Sequence, residues 1–161
     1  MRTRLLAAVG ALLLSAPARA DLVNYTVDFS VGVPWRTNPD VYRTPTNLML
    51  TPGVLVVNWV SAELGLAQGF SQFGVPARFG LRPMVGLYPP AIPVYAKLVI
   101  DVDNLNLAGG LPVLTTVGGA IGALLRLGPV RLFLEGDYLP QTVQGTNQHI
   151  VELRAGVGVK I

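Results

Sequence analysis

The chain of 161 residues contains no cysteine. That excludes a disulfide framework and also the lipidated cysteine by which a bacterial lipoprotein is anchored. With one histidine, His149, and no thiol, the sequence offers no His/Cys set for a zinc site. The acids fall about one per segment, apart from Glu135 and Asp137, so neither a metal nor another cofactor is expected. Charged residues make up only 13% of the chain, and beyond residue 20 lysine occurs only at Lys97 and Lys160, unlike the lysine-rich surface of a soluble domain. Although 51% of the chain is hydrophobic, no later segment supplies the ~18 consecutive apolar residues of a membrane helix. The GxxxG spacing from Gly118 to Gly122 lies in a stretch interrupted by Arg126 and Pro129, which excludes a helix-dimer motif. There is no Gly-rich nucleotide fingerprint, and "GVGVK" near the chain end is no P-loop.

What the sequence does contain begins with "MRTRLLAAVGALLLSAPARA": two early arginines, an apolar run from Leu5 to Leu14, and a small-residue ending. This is the layout of a cleaved secretory signal peptide, so residues 1–20 are set aside and residues 21–161 are read as one domain. The segment takes three arginines with it and leaves nine residues of each sign, so there is no electrostatic case for a nucleic-acid partner.

The rest alternates with a period of two, the signature of extended strands with differently solvated faces. In "VELRAGVGVKI", Val151, Leu153, Ala155, Val157, Val159 and Ile161 share one face, and Glu152, Arg154, Gly156, Gly158 and Lys160 the other. The same alternation marks strands over 22–33, 62–70, 77–88, 93–102, 115–127, 129–139 and 149–161. A further strand over 48–60 is inferred by position, since it is apolar on both faces. Lengths of about 9–11 residues suit a tilted strand crossing a bilayer. The connections alternate between long (34–47, 71–76, 103–114 and 140–148) and short (near Val60 and Ser61, 89–92, and Gly128-Pro129). All long loops therefore fall at one end of an all-β, eight-stranded antiparallel up-and-down transmembrane β-barrel.

The faces decide the orientation. The polar faces interleave charges with glycine and alanine, which fit a narrow lumen, and the opposite faces are Val, Leu and Ile throughout. The expected interior charges are Glu63, Arg78, Arg82, Lys97, Asp101, Arg126, Arg131, Glu135, Asp137, Glu152 and Arg154, with Lys160 on the same face. Buried charges of both signs have to pair. Trp35, Tyr42, Trp59, Phe70, Phe73, Tyr88 and Tyr138 lie near strand ends, where membrane-interface aromatics belong.

The eight strands, the signal segment and the chain end resemble the small outer-membrane β-barrel proteins of Gram-negative bacteria, the OmpA-like and OmpX-like barrels. In that family the last strand carries an assembly signal, matched here by Arg154, Gly156, Val159 and Ile161, although the family's usual last residue is Phe or Trp. The resemblance implies an outer-membrane location, contact with outer-membrane lipid, and insertion by the barrel-assembly machinery. The expected function is non-enzymatic: envelope integrity, or surface contact and adhesion through loops whose partner the sequence does not name. Three alternatives stand beside it. One is a soluble periplasmic lipocalin-like barrel with its apolar face inward around a small ligand. Another is a lipid A-modifying enzyme built on His149 with Ser71 and Asp103, and the last is a narrow ion channel.

Overall fold

The computed structural model describes residues 22–37, 41–105, 113–143 and 146–161. The expected signal segment, residues 1–20, lies outside the described residues, as does 106–112 of the third long connection. The strands are β1 (Val23–Thr37), β2 (Tyr42–Arg43), β3 (Asn47–Val56), β4 (Val60–Gly69), β5 (Arg78–Leu87), β6 (Val94–Asp103), β7 (Leu114–Leu127), β8 (Val130–Val143) and β9 (Thr146–Lys160). From β3 to β9 each strand pairs antiparallel with the next, β1 pairs with both β3 and β9, and the sheet closes. The two-residue β2 only folds back on the far end of β1, through Trp35↔Arg43 and Arg36↔Tyr42. The result is a closed eight-stranded antiparallel barrel, and no helix occurs among the described residues. Its near end carries Leu22, Ile161 and the short turns; its far end carries the longer connections.

The wall is apolar on the outside and charged within. Ile121 is 71% exposed and Leu98 57%, whereas Arg154 is 0% exposed and Glu135 and Glu152 are 1%. A lipocalin-like arrangement would invert these values. Prolines inside the wall leave marks in the ladder because they have no N–H to donate. Pairing between β3 and β4 lapses at Thr51 and Pro52, and pairing between β5 and β6 lapses at Arg82 and Pro83.

Several boundaries differ from those read in the sequence. The segment 48–60 is not one strand: β3 ends at Val56 and a turn occupies Val57 to Trp59, before the position expected near Val60 and Ser61. Its apolar pattern still alternates, with Met49 and Leu55 inward around Thr51 and with Leu50, Pro52 and Val56 outward. Both faces read as apolar because this strand contributes two aliphatic side chains to the lumen filling. The expected fourth long loop, 140–148, is mostly strand, since Pro140↔His149, Gln141↔Gln148 and Thr142↔Asn147 continue the β8–β9 ladder. Beyond Tyr138 the backbone ladder of β8 continues with β9 alone, although the Gln141 side chain still donates to Thr116 of β7. Such a free edge tolerates Pro140.

The short turns show their local causes. Gly128 takes φ +65° and Pro129 supplies a fixed negative φ, the combination a two-residue type II′ hairpin requires. At the β3–β4 turn both Val57 (φ 54°) and Asn58 (φ 58°) are left-handed. Asparagine tolerates this region, and a β-branched residue does not. The turn is held there by Val57 N–H donating to the Leu22 carbonyl at 2.9 Å and by Trp59 N–H donating to the Val56 carbonyl at 3.0 Å. Val57→Asn should therefore stabilise the barrel by about 1 kcal/mol, read as a higher urea midpoint. An unchanged or lower midpoint would show that packing of the valine outweighs its backbone cost.

Candidate functional site

Alternation along every strand turns the even-numbered residues of β1, β5, β7 and β9 and the odd-numbered residues of β3, β4, β6 and β8 toward the axis, and closure brings them within reach across the lumen. Two ion-pair clusters result. In the first, Asp28 of β1 accepts from Nε and Nη2 of Arg131 on β8, at 2.7 and 2.5 Å. Beside it Lys97 of β6 places its ammonium 2.9 Å from Glu63 of β4 and 2.9 Å from Glu135 of β8. Ser61 and Tyr88 each donate to the other Glu63 oxygen at 2.7 Å. Tyr88 stacks on Tyr95 with ring centroids 4.8 Å apart, and Lys97 lies over the Tyr95 ring.

The second cluster is built around Arg82 of β5. Its Nε donates to Asp101 at 2.8 Å, and its Nη1 donates to Asp137 at 2.9 Å and to Glu152 at 3.1 Å. Asp137 and Glu152 are direct cross-strand partners, a like-charge pair that would destabilise the β8–β9 ladder by itself. The guanidinium reaching across the barrel resolves that conflict. Arg154 also donates to Glu152 and, at 3.1 Å, to the Ser30 hydroxyl, while Asn47 donates to Glu152 at 3.0 Å. Toward the far end Arg78 pairs with Asp103 at 2.7 Å.

Glycines leave the room these side chains occupy. A Cβ on Gly158 would overlap the Asp28 carboxylate, and one on Gly122 would overlap the Tyr95 ring. The rest of the lumen is filled by apolar clusters, one containing Met49, Met84, Val99, Leu139 and Ile150 and the other Leu55, Tyr88, Tyr95 and Leu124.

Of the residues singled out from the sequence, Glu63, Arg82, Lys97, Asp101, Arg131, Glu135, Asp137, Glu152 and Arg154 are buried in these clusters, and Arg78 is half-buried beside Asp103. Arg126 is not interior: it is exposed at the near mouth, where it reaches only the Pro90 carbonyl. Its cross-strand partner Arg131 holds the Asp28 carboxylate. Lys160 is likewise exposed at that mouth. Tyr88 is a second correction, since it is 3% exposed and inside the lumen rather than in an outer aromatic belt. Sequence reading undervalued Tyr95, Ser61 and Asn47, whose inward parity was the available signal. Of the four assembly-signal positions, Arg154 and Gly156 point inward while Val159 and Ile161 are exposed on the wall.

His149 faces outward, stacked on Tyr138, with Nδ1 2.8 Å from the Tyr138 hydroxyl. Asp103 is engaged with Arg78 on the lumen side, so the structure does not bring His149, Ser71 and Asp103 together.

These features define the fold of the small transmembrane outer-membrane barrels. The chain is similar to Neisserial surface protein A, with a TM-score of 0.62 at 14% identity, over 85% of this chain and 97% of that one. Also matched is Ail, the attachment invasion locus protein of Yersinia pestis solved with sucrose octasulfate, with a TM-score of 0.49 at 10% identity, over 86% of this chain and 99% of that one. A de novo designed transmembrane β-barrel matches with a TM-score of 0.47 at 15% identity, over 84% of this chain and 95% of that one. No family model and no curated protein matches the sequence.

Removing one partner from a buried ion cluster leaves charges unpaired in low dielectric, which typically costs about 3–5 kcal/mol. Glu152→Gln should reduce the unfolding free energy by an amount of that order, read as a lower urea midpoint, because it frees Arg154 and part of Arg82 at once. Arg126→Gln at the mouth should leave the midpoint nearly unchanged; equal effects from both would refute the division between lumen and mouth.

Proposed function

We propose that this chain is a non-enzymatic outer-membrane protein whose barrel serves as a lipid-embedded pedestal for its far-end loops. The observation that carries this reading is the inverted solvation of the wall: large aliphatic side chains outside, paired charges inside. In lipid every backbone polar group has to be satisfied within the chain, which a closed ladder achieves. Arg82, Lys97, Arg154 and their carboxylates, together with Met49, Val99 and Leu139, occupy the lumen among the described residues, which speaks against a wide aqueous pore. Function then belongs to the ends, and surface contact or adhesion by the loops is the role that a plugged barrel leaves open. In this reading residues 1–20 are removed on export and the near end faces the periplasm. The last-strand positions Arg154, Gly156, Val159 and Ile161 are read by the barrel-assembly machinery.

The deciding experiment is fractionation of an expressing Gram-negative cell, followed by detergent gels of unboiled and boiled outer membranes. The expected result is an outer-membrane band whose mobility shifts on boiling, with silent planar-bilayer recordings of the purified protein. A soluble band with no shift would refute the membrane reading, and steady unit conductance would favour a channel. Ile161→Asp should reduce the heat-modifiable fraction severalfold while Ile161→Phe retains it, if the chain end is read as an assembly signal.

A further inference from the structure

Below the ion-pair clusters the lumen opens at the near end into a cavity of about 300 Å³. Leu55, Leu124 and the ring of Tyr88 form its apolar floor, and Arg126, Arg131 and Lys160 stand on its walls. The three cations come from neighbouring strands. Arg126 on β7 lies directly opposite Arg131 on β8, Arg131 lies opposite Gly158 on β9, and Lys160 follows two residues later on the same face.

Like charges placed opposite each other on one face destabilise a sheet. Along the middle of the barrel this is answered: Arg78, Arg82, Lys97, Arg131 and Arg154 each have a carboxylate partner. At the mouth it is not. Asp28 is taken by both nitrogens of Arg131. Arg126 is left with the Pro90 carbonyl at 3.5 Å, and Lys160 with the Asn58 side-chain oxygen at 3.0 Å. Neither has an acidic partner among the described residues. The cavity is also a dead end, since the Asp28–Arg131 pair and the Tyr88 ring close its inner side.

We propose that this mouth is a binding site for a phosphate ester, with the phosphate between Arg126 and Lys160 and the organic part against Leu55 and Leu124. A planar guanidinium fork and a mobile ammonium together suit a tetrahedral oxyanion. The volume lies at the small end of ligand pockets, room for a phosphate with a short organic group. A soluble phosphate ester and the headgroup of an anionic phospholipid share this chemistry. The inference rests on the lumen geometry and is independent of any role of the loops.

The test uses the full barrel in a non-ionic maltoside detergent, with backbone amide spectra recorded during titration with glycerol 3-phosphate. A parallel arm compares nanodiscs of phosphatidylglycerol with nanodiscs of phosphatidylcholine. Saturable shifts at Gly128, Arg131 and Lys160 with about millimolar affinity, weakened roughly tenfold or more in the Arg126→Gln/Lys160→Gln double variant, would support a soluble ester. The same shifts seen only in phosphatidylglycerol discs, and lost in the double variant, would support the site with a lipid headgroup as its occupant. No saturable shift in either arm, or shifts that the double variant leaves unchanged, would overturn the proposal. Both substitutions lie at the exposed rim, so unchanged heat-modifiable gel mobility reports that the variant barrel is intact. That readout also separates failure of this site from failure of the outer-membrane reading.

Discussion

The antiparallel ladder between β1 and β9 runs from Thr26↔Lys160 to Thr37↔His149, and through it a curved sheet becomes a wall without edges. Closure fixes the radius, and with eight strands the radius is small enough for side chains from opposite walls to touch. Arg82 on β5 can then reach Asp137 on β8 and Glu152 on β9, and Lys97 on β6 can bridge Glu63 on β4 and Glu135 on β8. Without the β1–β9 pairing Arg82 would keep Asp101 and Glu152 would keep Arg154, but the contacts that join these pairs across the lumen would be lost.

The same constraint explains the composition. A narrow lumen tolerates a large ion pair only where a neighbouring position is small, so Gly158 lies against Asp28 and Arg131, and Gly32 against Glu152. Taking charge out of water is costly, and its return comes only with good geometry and several hydrogen bonds per group. Glu152 meets this condition with Arg82, Arg154 and Asn47, and Glu63 meets it with Lys97, Ser61 and Tyr88. Outside, the wall needs only apolar bulk, and Val27, Leu98, Ile121 and Val157 provide it with no requirement for mutual packing.

A filled lumen shifts biological interest to the two ends, and the ends differ in chemistry. At the far end the β8–β9 ladder continues past the last β7–β8 pair and carries the outward Tyr138–His149 stack. At the near end the charge balance that holds throughout the middle is broken by Arg126 and Lys160, above an apolar floor. An unbalanced pair of cations is a local property of the mouth, invisible in the near-neutral total of residues 21–161.

Strand number, antiparallel order and the assignment of faces were legible in the sequence, because a period of two writes each face directly into residue parity. The interior set followed from the same parity, so Glu135, Asp137, Glu152 and Arg154 could be grouped before any partner was known. Parity does not report height along the axis. It therefore could not separate Arg131, deep enough to hold Asp28, from Arg126 on the same face at the rim; Tyr88 shares the inward parity of Arg82 and Met84, and its nearness to a strand end alone suggested the outer belt. Nor could it show that 140–148 continues as paired strand, since that depends on register with a neighbour. The sequence by itself determined which way each residue faces. Only the tertiary structure decided which charges meet, because contacts such as Arg82–Glu152 and Asp28–Arg131 join strands distant in the chain, at distances set by closure.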